Sequence, residues 1–266
     1  MNTRHTMDAR ELLHEGRLDE AIETESAEVR AHPGDPDRRA LLADLLCIVG
    51  NFERADAQLD AIAKLLPGAA VAVALVRQLI RAETWRQQCF TEGRVPEFLE
   101  RPDPRMQLHL SALLALREVD RESAATLLGQ AEELRPVCPG VADGKAFDDF
   151  RDCDDLSAGL LEVLTSTGKY YWIPTERIRR LTLRPVEHAR DLIWRRAGME
   201  VTNGPEGEVF LPTIYAPAQE DRAARLGRLT TWTEAEPVLG TGLRTFLVGE
   251  DVATLMELND VVFNAV

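Results

Sequence analysis

Residues 166–174 read Ser-Thr-Gly-Lys-Tyr-Tyr-Trp-Ile-Pro, and Gly168-Lys169 after a hydroxyl pair could be the tail of a phosphate-binding loop. Such a loop needs Gly, four residues, then Gly-Lys-Ser/Thr between a strand and a helix. Backbone N–H groups then cradle phosphates and the hydroxyl holds magnesium. Here Val163 stands where the first glycine belongs and Tyr170 where the hydroxyl belongs. No nucleotide is expected at this stretch.

The second chemical candidate is Phe-Asp-Asp-Phe-Arg-Asp-Cys-Asp-Asp, residues 147–155. On a helix, Asp148, Asp152 and Asp155 would share one face. Three readings stay open. The carboxylates could hold a hard cation, which asks for convergent oxygens. They could form an acidic first turn favoured by the helix dipole. They could meet basic residues, inside the chain or on a partner. Arginines cluster further on, at 177, 179, 180, 184, 190, 195 and 196, and the same choice between internal pairing and a partner applies to them. The five histidines show no metal spacing, and Cys47, Cys89, Cys138 and Cys153 form no CxxC pair. GxSxG, HExxH and GxGxxG are all missing. No enzyme activity, metal or cofactor is expected.

Composition narrows the partners. The chain has 266 residues and a net charge of −14. So acidic a surface disfavours nucleic acid. No apolar run suggests a signal peptide or a membrane span, so a cytoplasmic protein with reduced thiols is expected.

The elements that must position these residues begin with a repeat. Gly16, Ala21 and Pro33 recur as Gly50, Ala55 and Pro67, each 34 residues on. Phe90 to Pro102 and Ala124 to Pro136 repeat the twelve-residue Ala-to-Pro interval. Four units register near 16, 50, 85 and 119, with Trp85 at the third turn. Glycine permits a left-handed turn between two helices, alanine lets them approach, and proline ends the second. This pattern resembles the tetratricopeptide repeat, whose helix pairs must stack to bury their apolar faces. The curved surface of such a stack would carry Leu75, Leu79, Met106 and Leu113; a partner's amphipathic helix or extended peptide could lie there, the alternative being that these residues are core or are covered by the second half.

The pattern breaks at Pro136–Gly140. A helix is expected over about 147–166, with Gly168 as its C-cap. Strands follow at 169–174, 177–183, 191–201, 208–215, 225–232 and 243–248. Asn203-Gly204 marks a hairpin, and 251–258 reads as a short helix. The expected fold is α+β: a tetratricopeptide-like α-α superhelix over 1–138, then a small β-rich domain, barrel-like or mixed, over 145–266.

The ordered strings FDDFRDCDD, LEVLTSTGKYYWIPTERI, RDLIWRRA, GPEGEVFLPTIYAP and RLGRLTTW are similar to the ImpE/TagJ (SciE-type) proteins of bacterial type VI secretion loci. The resemblance spans nearly the whole chain. It implies a cytoplasmic, non-enzymatic accessory protein associated with the contractile sheath. The implied partners are the N-terminal helix of the small sheath subunit and the AAA+ ATPase that disassembles contracted sheaths. It supplies no catalytic residues. A purely structural subunit and, more remotely, a metal-dependent enzyme built on Asp148–Asp155 are the alternatives.

Overall fold

The computed structural model describes residues 7–217 and 220–264. Three helical hairpins and one long helix come first. The hairpins are α1 (Ala9–His14) with α2 (Leu18–Ala31), α3 (Pro36–Ile48) with α4 (Phe52–Leu65), and α6 (Pro104–Arg117) with α7 (Arg121–Glu133). Side-chain caps start most of them: Asp8, Asp35, Asn51, Asp103 and Asp120 each accept from backbone N–H groups of the following first turn. The repeat spacing has a direct structural meaning. Gly16 and Gly50 turn at φ 84° and 76°, and Val119 takes the same place in the last hairpin at φ 64°. Ala21, Ala55 and Ala124, five residues after each turn, are all 0% exposed.

The third unit differs from expectation. Trp85 sits inside α5, a continuous helix over Ala70–Thr91. That segment holds neither glycine nor proline, so nothing interrupts its backbone hydrogen bonds.

The rest is antiparallel β structure. An eight-stranded sheet runs in the order β2-β1-β13-β6-β7-β8-β4-β5. Its strands are β1 (Gly140–Ala142), β2 (Lys145–Phe147), β4 (Leu160–Leu164), β5 (Tyr170–Pro174), β6 (Ile178–Leu183), β7 (Trp194–Val201), β8 (Glu206–Pro212) and β13 (Asp260–Phe263). A three-stranded sheet pairs β3 (Phe150–Asp152), β11 (Thr245–Val248) and β12 (Asp251–Thr254), and β9 (Thr230–Trp232) pairs with β10 (Gly240–Gly242). Phe147, Phe150, Phe246 and Phe263 pack ring against ring between the two larger sheets. The β7–β8 hairpin turns through Asn203 at φ 53°, with the Gly204 N–H donating to the Val201 carbonyl at 3.0 Å.

Three local expectations are corrected. Residues 147–166 are not a helix but β3, a single 3-10 turn and β4. Asp152 Oδ1 accepts from the Asp154 N–H at 2.9 Å and Asp154 Oδ1 from the Leu156 N–H at 2.8 Å. These local bonds take donors that a helix would need. All five residues of β4 are buried, so the strand shows no alternation to tell it from a helix. Gly168, at φ 79°, accordingly serves the β4–β5 hairpin rather than a helix end. Residues 251–254 form β12, folded back on β11 by Gly249 at φ 60°.

Candidate functional site

The helices and the β region share one hydrophobic cluster. Leu79 of α5 and Met106 and Leu113 of α6 belong to the same core as Leu156, Leu160, Leu164, Tyr170, Trp172, Trp194 and Phe210. Leu79, Met106 and Leu113 are 1%, 1% and 5% exposed, and Leu75 is half-buried against the same core. The apolar surface expected of the repeats is therefore filled by the chain's own second half. An apolar stack face is buried by whatever apolar partner is covalently nearest, because tethering makes that contact the least costly in entropy.

A buried ionic network crosses this contact. Arg86, on α5, donates through Nε and Nη2 to both oxygens of Glu162 on β4, at 2.8 and 3.0 Å. Its Nη1 meets Glu83 at 3.2 Å, and Glu83 also accepts from the Trp194 indole at 3.1 Å. Arg244, just before β11, donates to Glu162 and, at 2.7 Å, to Asp152. The Tyr170 hydroxyl donates to Glu162, and Tyr215 donates to Asp152 at 2.7 Å. Glu83, Arg86, Asp152, Glu162 and Arg244 are each at most 7% exposed. Burial alone would raise the Glu162 carboxyl, yet the guanidiniums of Arg86 and Arg244 outweigh it and bring it down to about 2. Asp154 lies beside this network without an arginine of its own. Burial, then the neighbouring Asp152, push it up to about 7, against N–H donors from Leu156 and Gly240. On the other side, His109 of α6 donates from Nδ1 to the Leu156 carbonyl at 2.9 Å, and burial, then Arg105, hold it near 4.

Above the Arg244–Glu162 floor opens a cleft of about 340 Å³ between α6–α7 and the β region. Leu113, Leu116, Val119, Leu156, Leu160, Trp172, Tyr215, Pro217 and Leu239 supply its apolar walls. Arg117, Arg121, Asp154, Glu162 and Arg244 supply its charge. A mainly apolar concavity of this size with a few placed polar groups is the usual form of a ligand or side-chain pocket.

The aspartates do not form one face. Asp148 is exposed and Asp149 is bound to Arg135 at 2.6 Å. Asp152 is inside the network, and Asp155 pairs with Arg151 at 2.7 Å. Among the described residues, no three His, Cys, Asp or Glu side chains converge on a metal-sized site. The arginines at 177–196 mostly meet acids of the same chain: Arg177 with Glu100, Arg180 with Asp260, Arg190 with Asp44, and Arg196 with Glu187. Sequence reasoning passed over Arg86, Glu162 and Arg244. Glu162 had a legible signal, a single carboxylate inside the apolar run Leu-Leu-Glu-Val-Leu, because a buried charge demands a partner.

A strap closes the other side. In α8 (Arg222–Arg225) and the residues after it, Arg225 donates to the Ile48 carbonyl at 3.3 Å. Arg228 donates to the Leu13 and His14 carbonyls. Both guanidiniums lie against the hairpin glycines, Gly50 and Gly16. Further along, Arg121 donates to the carbonyls of Ala235 and Pro237 at 2.9 and 3.1 Å. The Arg-Leu-Gly-Arg string thus caps exposed helix ends. No helix among the described residues is long and apolar enough to cross a membrane.

The family model described as ImpE protein matches residues 144–262. The type VI secretion system accessory component TagJ of Pseudomonas aeruginosa is 32% identical over 259 residues, 97% of this chain and 91% of that protein. The crystal structure of protein VPA1032 from Vibrio parahaemolyticus superposes with a TM-score of 0.89 at 30% identity, covering 96% of this chain and 97% of that one.

Proposed function

The chain belongs to the ImpE family, and we propose that it is a non-enzymatic adaptor among the accessory components of type VI secretion. In this reading it grips the N-terminal helix of the small sheath subunit, and the sheath-disassembling AAA+ ATPase is a second partner. The similarity to an accessory component over almost the whole length of both chains supports the role. The observation that carries the reading of the site is the apolar cleft between α6–α7 and the β region. The inner faces of the repeats are occupied, and this cleft offers a mainly apolar concavity for the side chains of a partner helix.

Calorimetric titration of the full chain with a peptide of that helix tests the reading. Saturable one-to-one binding is expected, weakened at least tenfold by Leu116→Trp, which narrows the cleft. Binding that ignores this substitution would move the site elsewhere. No binding at all would remove this helix as the ligand and turn the search to the ATPase.

A further inference from the structure

The charges around the cleft are unequally engaged. Glu162 accepts from Arg86, Arg244 and Tyr170, and Asp154 accepts from two backbone N–H groups. Both acids are therefore occupied from within. The arginines differ among themselves. Arg117, the last residue of α6, makes no hydrogen bond or ion pair with any described residue, and its Nε is fully buried. Its guanidinium rests against Gly93, where a Cβ would come within 2.4 Å of Nη1. Gly93 holds φ 81°, so side chains are doubly disfavoured there. Among the described residues Arg121 meets only backbone carbonyls, and Arg244, 2% exposed and paired through its other nitrogens with Asp152 and Glu162, keeps an Nε without an acceptor. A buried donor left unmade is costly, and an arginine without an acid beside it is conspicuous in a chain of net charge −14.

We propose that the cleft reads a carboxylate. It takes a partner segment that presents an acidic side chain next to its apolar anchors, with the acid on Arg117 and the anchors between Leu116, Trp172 and Leu239. This rests on the cleft being the docking site for a helix. Charge complementarity sets the partner's chemistry, because Arg117 and the Arg244 Nε are donors without an acceptor while both acids of the cleft already accept from within.

Two arms test it on the full chain. In the first, decanoate, decanol and decyltrimethylammonium are titrated below their micellar concentrations. Decanoate should bind about tenfold more tightly than either of the others, and Arg117→Gln should abolish that preference. Arg117→Lys, which keeps the charge, should retain part of it, and unchanged melting of both variants shows that they fold. In the second arm the sheath-helix peptide is compared with versions in which each acidic residue is replaced by its amide. One replacement should weaken binding to the native chain about tenfold and leave binding to Arg117→Gln unaffected. Decanoate preference without peptide binding would support the carboxylate reading and reject the helix as its source. Peptide binding that is indifferent to every amide and to Arg117 would keep the helix and overturn the carboxylate. Equal affinity for all three amphiphiles, with no peptide bound, would overturn both.

Discussion

Val119 shows how one side chain can depart from a repeat without moving the backbone. It holds φ 64° where the first two hairpins have glycine, and it is 82% exposed. A left-handed conformation costs a β-branched residue about 1–2 kcal/mol, offset in part by the greater freedom glycine gives the unfolded chain. Val119→Gly is expected to stabilise by about 0.5–1 kcal/mol, a rise of ~1–4 °C in thermal melting. A fall would mean that valine's packing at the cleft outweighs its strain. Asp154 supports a pH prediction. Held at about 7 against a usual 3.8, it keeps a proton in the native chain that the unfolded chain releases near pH 4. Its contribution is therefore full in acid and is lost as pH rises toward 7. His109, near 4 against a usual 6.5, runs the other way, its contribution being full above 6.5 and lost as pH falls toward 4. The two slopes oppose one another between about 4 and 6.5, so the effect shows in a difference. Asp154→Asn should gain on the native chain as pH rises from 5 to 7, by up to about 1.4 kcal/mol per unit, on top of a constant cost for one lost acceptor. Denaturant melts of both proteins at pH 5, 6.5 and 8 check this, and a pH-independent difference would refute it.

At the scale of elements, the Arg86–Glu162–Arg244 network joins α5 to β4 and to the approach to β11. Removing one member of a buried ionic set leaves the others uncompensated, which costs about 3–5 kcal/mol, whereas an exposed pair contributes about 0–1 kcal/mol. Glu162→Gln should therefore unfold at markedly lower denaturant, while Arg180→Ala, which breaks the exposed pair with Asp260, should change little. Comparable losses would show that the network is not the fastening between the two regions. The hairpins of the helical half were legible because glycine, alanine and the N-caps act locally, and Gly16, Gly50 and the following alanines lie where their spacing put them. Residues 147–166 were not legible. A strand buried on both faces loses its period-two signature, and the Asx turns at Asp152 and Asp154 are indistinguishable in sequence from an acidic helix start. The candidate site fared likewise. Its walls come from residues 90, 113–121, 154–162, 172, 215–217 and 233–244, a juxtaposition that no spacing encodes.

At the scale of the molecule, the two halves are chemically distinct in sequence but share a core. A chain ending near residue 140 would expose Leu79, Met106 and Leu113, together with Arg86 stripped of Glu162. It is expected to aggregate or to lose cooperative melting, measured by circular dichroism and sedimentation. A sharp transition in the isolated repeats would show that the shared core is dispensable. The strap adds something a shared core alone would not. Arg228 and Arg225, three residues apart, hold the turns of the first and second hairpins, and Arg121 ties the last hairpin to the same stretch of chain. A bare stack of helix pairs behaves as a spring, stretching and twisting through small slips between neighbours. Here one covalent strand is anchored coil by coil along its side. Pulling the coils apart must stretch that strand or tear its guanidiniums from their carbonyls, so the spring has been made into a bracket of fixed pitch.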